Sequence, residues 1–112
     1  MSNDTRNTLT LTLAGGGPGQ GESLDLPAGN YRADFCGESD GASVTIQGYR
    51  GAHWSPLPVS LQQNSTSMTV HSLPHTLYFR TAEPHRVRLA AGVENRRRVR
   101  SLVVVATLIR LD

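Results

Sequence analysis

The stretch TLTLTL, residues 8–13, alternates strictly between threonine and leucine. Successive side chains of a strand point to opposite faces, so this spacing puts Leu9, Leu11 and Leu13 on one side and the threonines on the other. That is the pattern of a half-buried strand, and the same period recurs outward along the chain. SLDL (23–26) alternates again. NYRADF (30–35) places Tyr31, Ala33 and Phe35 on one side, and ASVTIQGYR (42–50) does the same with Val44 and Ile46.

Turn residues separate these runs: AGGGPGQGE (14–22), Pro27-Ala28-Gly29, GESDG (37–41) and QNSTS (63–67). Trp54 leads into SPLPVSLQ (55–62), where Pro56 and Pro58 restrict the chain to an edge strand or an extended approach to one. No segment combines sustained apolar spacing at three and four residues with helix caps. The expectation is one domain over residues 1–112, all-β, folded as an antiparallel sandwich or jelly roll, with a flexible N-terminal tip and a flexible glycine-rich loop at 14–22. Strands are expected near 8–13, 30–36, 43–49, 68–73, 76–81, 85–90 and 98–110.

At 112 residues the chain has room for a single modest core. Its 38% hydrophobic and 18% charged residues suit a globular protein rather than a disordered one. No apolar run reaches the roughly 18 residues of a membrane span, and MSNDTRNT (1–8) lacks the apolar core of a secretion signal. Cys36 is the single cysteine, which excludes an internal disulfide. Its acidic neighbourhood, FCGESDG (35–41), argues for a small buried thiol rather than a reactive one.

Motifs that would carry chemistry fail on inspection. GGPGQGES (16–23) has phosphate-loop spacing but carries Glu22 where a lysine belongs, and LDLPAG follows instead of a helix. His71 and His75 are separated by Pro74, and His53 and His85 add no ligand spacing, so no metal is expected. Glu38 and Asp40 lack the alternating oxygen ligands of a calcium loop. No serine, histidine and acid fall in a nucleophile context. The expectation is therefore a non-enzymatic protein without cofactor.

The charge is unevenly spread. All eleven basic residues are arginines; residues 1–79 carry a net −3 and residues 80–112 a net +5. Arg86, Arg88, Arg96, Arg98 and Arg100 are all even-numbered, and an odd-length hairpin loop at AAGVEN (90–95) would set all five on one face of a two-stranded unit. Nucleic acid is the obvious anionic partner for Arg96–Arg100. Against it stand the lack of a groove-reading helix, of a base-stacking aromatic signature and of a strongly basic balance. Pairing with carboxylates on another protein fits the dipolar charge better. The last run, Leu102 to Ile109, is apolar at both odd and even positions, which points to a subunit contact and a dimer or trimer. The candidate interface is Arg86, Arg88, Arg96, Arg97, Arg98, Arg100, Leu102 and Val104. A second possibility is a sugar-stacking platform built from Tyr31, Tyr49 and Trp54, with Tyr78 as a further candidate.

The sequence LDLPAGNYRADF (24–35), followed by WSPLPVSL (54–61), LPHTLYFRT (73–81) and VVVATLIRL (103–111), resembles small β-sandwich virion proteins of tailed bacteriophages, nearest to the head decoration or cement proteins. The resemblance implies a homo-oligomer that binds the outer capsid and reinforces coat contacts; the pairing of arginines with carboxylates makes the expected partner an acidic surface of the major capsid protein. It implies a place on the phage head after synthesis in the host cytoplasm, with a tail or fibre component as the alternative. It transfers no site residues.

Overall fold

The computed structural model describes residues 8–15, 20–39, 41–92 and 102–112. Among them are ten strands and no helix: β1 (Thr8–Gly15), β2 (Leu24–Leu26), β3 (Gly29–Glu38), β4 (Ser43–Arg50), β5 (His53–Pro56), β6 (Ser60–Gln62), β7 (Thr69–Val70), β8 (His75–Thr81), β9 (His85–Gly92) and β10 (Leu102–Arg110). They form two antiparallel sheets. One runs β1-β10-β3-β8-β6; the other runs β2-β9-β4-β5, with β7 also pairing β4.

The pairing is nested. First pairs with last (β1 with β10), then β2 with β9, β3 with β8, and β4 with the short strands that follow it. A chain doubled back on itself and then rolled up gives this order, which is the jelly roll. The sandwich expected from the period-two pattern is thus present, and with it the finer jelly-roll topology.

The alternation sets the core. Leu11, Leu13, Tyr31, Phe35, Phe79 and Leu108 from the first sheet meet Leu26, Val44, Ile46, Val87 and Leu89 from the second, all essentially buried. At about 25 cal/mol per Å² of apolar area removed from water, this interior is the main stabilising term. Thr81 is the one polar residue buried among the described residues, and its hydroxyl finds no partner. Tyr31 stacks on Phe79 at 5.6 Å and donates its phenol to the Pro27 carbonyl at 2.7 Å. Burial raises the Tyr31 pKa above its ordinary value.

Between β5 and β6 the chain crosses from one sheet to the other. Leu57 is buried there, its N–H bonded to the Ile46 carbonyl at 3.0 Å, over a gap left open by Gly48. A Cβ at Gly48 would stand 2.7 Å from the Leu57 side chain. Pro56 and Pro58 flank this crossing, and both strands beside it are sheet edges, as the prolines imply.

The loop expected at 14–22 is shorter than its composition suggests. Ala14 and Gly15 continue β1 opposite Val103 and Leu102. Gln20 bridges to Ala90, and the Gly21 N–H bonds the Leu89 carbonyl at 2.9 Å. Gly21 also lies so close to the Thr12 carbonyl that no side chain fits. The expected tip at 1–7 lies outside the described residues. The strand expected at 68–73 shrinks to Thr69–Val70.

Candidate functional site

β10 decides which face of the molecule is available for contact. It lies between β1 and β3, and its even-numbered residues Leu102, Val104, Ala106 and Leu108 point inward, at 0–2% exposure. The expectation that Leu102 and Val104 face a partner is corrected: the second sheet already covers them. The odd-numbered residues point outward. Val103 is 53% exposed, and Val105, Thr107 and Ile109 are half-buried.

The register extends this outer surface across neighbouring strands. Thr10 lies opposite Thr107 and Thr12 opposite Val105, while Ala14 faces Val103 and Thr8 faces Ile109. On the other side of β10, Val103 pairs with Glu38, Val105 with Cys36, Thr107 with Asp34 and Ile109 with Arg32. The result is an uncharged band of threonine, valine and isoleucine two strands wide, bordered by one row of charged residues. Cys36 is exposed within that row, which corrects the expectation of a buried thiol. Its neighbour Phe35 points to the interior, so position 36 must point out.

Asp34 is held from two sides. Arg32 Nε donates to it at 3.2 Å and the Thr76 hydroxyl at 2.9 Å. Both charged side chains are about two-fifths exposed, at 39% and 42%, so the pair is worth at most about 1 kcal/mol.

The arginines divide. β9 pairs with β2 and β4, and β10 pairs with β1 and β3, so the two strands lie in different sheets. β9 and β10 therefore do not pair as the two arms of a hairpin. Arg86 is engaged within its own sheet, with Nε donating to the Ser23 hydroxyl at 2.8 Å and a looser contact to Asp25 at 3.7 Å. Arg88 Nε donates to the Gln47 side-chain carbonyl at 2.9 Å. Its guanidinium stands over the Trp54 ring, and partial burial lowers its pKa. Arg96, Arg97, Arg98 and Arg100 lie outside the described residues.

The aromatic platform does not assemble as the sequence suggested. Tyr31 is in the core, and Tyr78 lies on the outer face of the first sheet beside Arg32. Only Tyr49 and Trp54 meet. They are directly opposite across β4 and β5, on the outer face of the second sheet, with ring centres 5.1 Å apart and tilted by 60°. With Arg88 on the same indole, the cluster clasps the short edge strand β5 to the sheet interior. The two-residue link Gly51-Ala52 between β4 and β5 was the available signal for this pair.

The described residues also line two surface recesses. A cleft of about 450 Å³ runs between the 63–67 turn and residues 71–76. It is lined by hydroxyl and amide groups and by His71 and His75. A smaller recess of about 240 Å³ lies beside Asn30, Gln62, Tyr78 and Asp112. Among the described residues no three histidine, cysteine or acidic side chains gather where they could hold a metal. Comparison with family models, with curated proteins and with solved structures finds no match to this chain.

Proposed function

We propose that this chain is a non-enzymatic structural protein that acts through protein–protein contact, as a decoration protein on the outer surface of a phage head. One observation carries the reading: the band of exposed Val103 and half-buried Val105 and Ile109 on the outer face of the first sheet. Contiguous apolar surface of this kind marks interaction sites, whereas scattered single residues need no explanation. The jelly-roll interior is packed with aliphatic and aromatic side chains, so the domain serves as a rigid carrier of its surfaces.

The arginine run at 96–100 stands in sequence directly before the strand that bears the band. In this reading it supplies the contact to an acidic capsid surface, since planar guanidinium groups pair well with carboxylates. The test is co-sedimentation with capsids that lack the protein. Wild type should pellet with them and release as salt rises. The variant R96Q/R97Q/R98Q/R100Q should fold normally and stay in the supernatant. A shifted random oligonucleotide at physiological salt, together with capsid binding by the quadruple variant, would overturn the assignment of the arginine run to the capsid contact.

A further inference from the structure

We infer that the outer face of the β1-β10-β3 sheet is covered by a second copy of this chain, packed face to face about a twofold axis. The inference deepens the reading above by naming the partner of the apolar band, but its test needs no capsid.

The argument is the self-complementarity of the face. Take the row Leu11–Ala106–Phe35, whose side chains point inward, as the centre. A twofold axis parallel to that row, running above the outer face midway between the two sheets, reverses the strand direction of the second copy and keeps the strand order. Each outward residue then meets the one equally far on the other side of the centre. On β10, Val103 meets Ile109 of the second copy and Val105 meets Thr107. On β1, Thr10 meets Thr12 and Thr8 meets Ala14. On β3, Arg32 meets Glu38 and Asp34 meets Cys36.

Apolar positions therefore meet apolar or threonine positions, and of the bordering charges Arg32 and Glu38 meet with opposite sign, while Asp34 stays paired with Arg32 of its own strand. An arginine has five N–H donors, so the Arg32 bond to Asp34 through Nε does not exhaust it. The β1 and β10 rows contribute no charge to the contact, so no carboxylate or guanidinium is trapped at its middle. Sheets that pack face to face keep their strands within about 30° of one another, which preserves this correspondence near the centre. The outer face of the second sheet carries Arg86 and Arg88, already engaged by their own sheet, and an exposed Tyr49.

The experiment is sedimentation equilibrium of the full chain over a concentration series. The expected species has twice the monomer mass of 12.1 kDa. V103D/V105D should be monomeric with an unchanged circular dichroism spectrum. R32E and E38R should each weaken the dimer by at least about tenfold, because like charges then meet across the axis. The double variant R32E/E38R should recover most of that loss, since opposite charges meet again. Cys36 gives a second readout on unmodified protein: its alkylation should slow as concentration rises, because the contact covers it.

A species of 12.1 kDa throughout the series would overturn the inference. So would a dimer that ignores V103D/V105D, or charge variants that the double exchange fails to rescue. A wild-type monomer that still pellets with capsids would overturn the dimer alone and leave the proposed function standing.

Discussion

The guanidinium carbon of Arg88 stands 4.1 Å from the centre of the Trp54 ring, while its Nε is bonded to Gln47. Arg88 is on β9 and Trp54 on β5, with β4 between them, so one side chain ties three adjacent strands together. β5 has only four residues and ends in Pro56, and it needs such a clasp. Arg88→Ala should cost about 1–2 kcal/mol, combining a lost cation–π contact with a hydrogen bond to a neutral amide. Arg88→Lys should lose nearly as much, because a lysine has no planar fork to serve both partners. Urea denaturation followed by Trp54 fluorescence measures both. Equal stability of wild type and Arg88→Ala would show that the stack is incidental.

Ala52 occupies a left-handed backbone conformation, with φ of 66°, next to Gly51 at 58°. The pair links Arg50 to His53 in a two-residue hairpin. Both central residues of such a turn need positive φ, and asparagine and glycine supply it most readily. An alanine there is strained by about 1–2 kcal/mol against its ordinary conformations. Ala52→Gly should raise stability by about 0.5–1 kcal/mol, since glycine also loses more chain entropy on folding. Thermal unfolding should show a higher midpoint. A lower one would mean that the alanine methyl group is needed in the turn.

Much of the sheet structure was legible because alternation and turn residues agreed. TLTLTL states its two faces outright, and Tyr31, Ala33 and Phe35 take the interior as their spacing implies. β10 was harder for a physical reason. Val103, Val104 and Val105 are chemically identical, so no polar residue marks the outer face. The inward set is fixed by long-range pairing with β1 and β3. The arginines misled for a related reason. Strands adjacent in sequence usually pair, but in a jelly roll the last strand returns to the first, and β9 and β10 separate. The Arg88–Trp54 clasp spans a sequence distance that no local pattern records.

Asp112 offers a pH test. Its carboxylate accepts the Asn30 backbone N–H at 3.2 Å, the Asn30 amide at 3.1 Å and Arg110 Nε at 3.3 Å. The backbone hydrogen bond from Asn30 is the main cause of a pKa below the ordinary 3.8, with Arg110 adding to it. A depressed carboxylate pKa means that the folded state holds the proton less tightly than the unfolded one. The stabilisation is therefore present above 3.8 and is lost as pH falls through the lowered value. Asp112→Asn should reduce stability at neutral pH and flatten the acid limb of a denaturation-midpoint profile. Parallel profiles for wild type and variant would remove Asp112 from the acid response.

The sharpest consequence of the β10 register is a contrast between adjacent valines. Val103 is 53% exposed on the outer face, whereas Val104 is wholly buried against the second sheet. Val104→Asp places a carboxylate inside the apolar core. An uncompensated buried charge costs about 3–5 kcal/mol, a large share of the roughly 5–15 kcal/mol that holds a small domain together. That variant should unfold or fail to express. Val103→Asp puts the same carboxylate into solvent on the same strand, with the same loss of β propensity. It should change stability by no more than about 0.5–1 kcal/mol and alter only what the outer face binds. Guanidinium melts of the two variants, beside their sedimentation behaviour, separate core from surface one residue apart. Equal destabilisation by both would mean that β10 does not present its odd-numbered side to solvent.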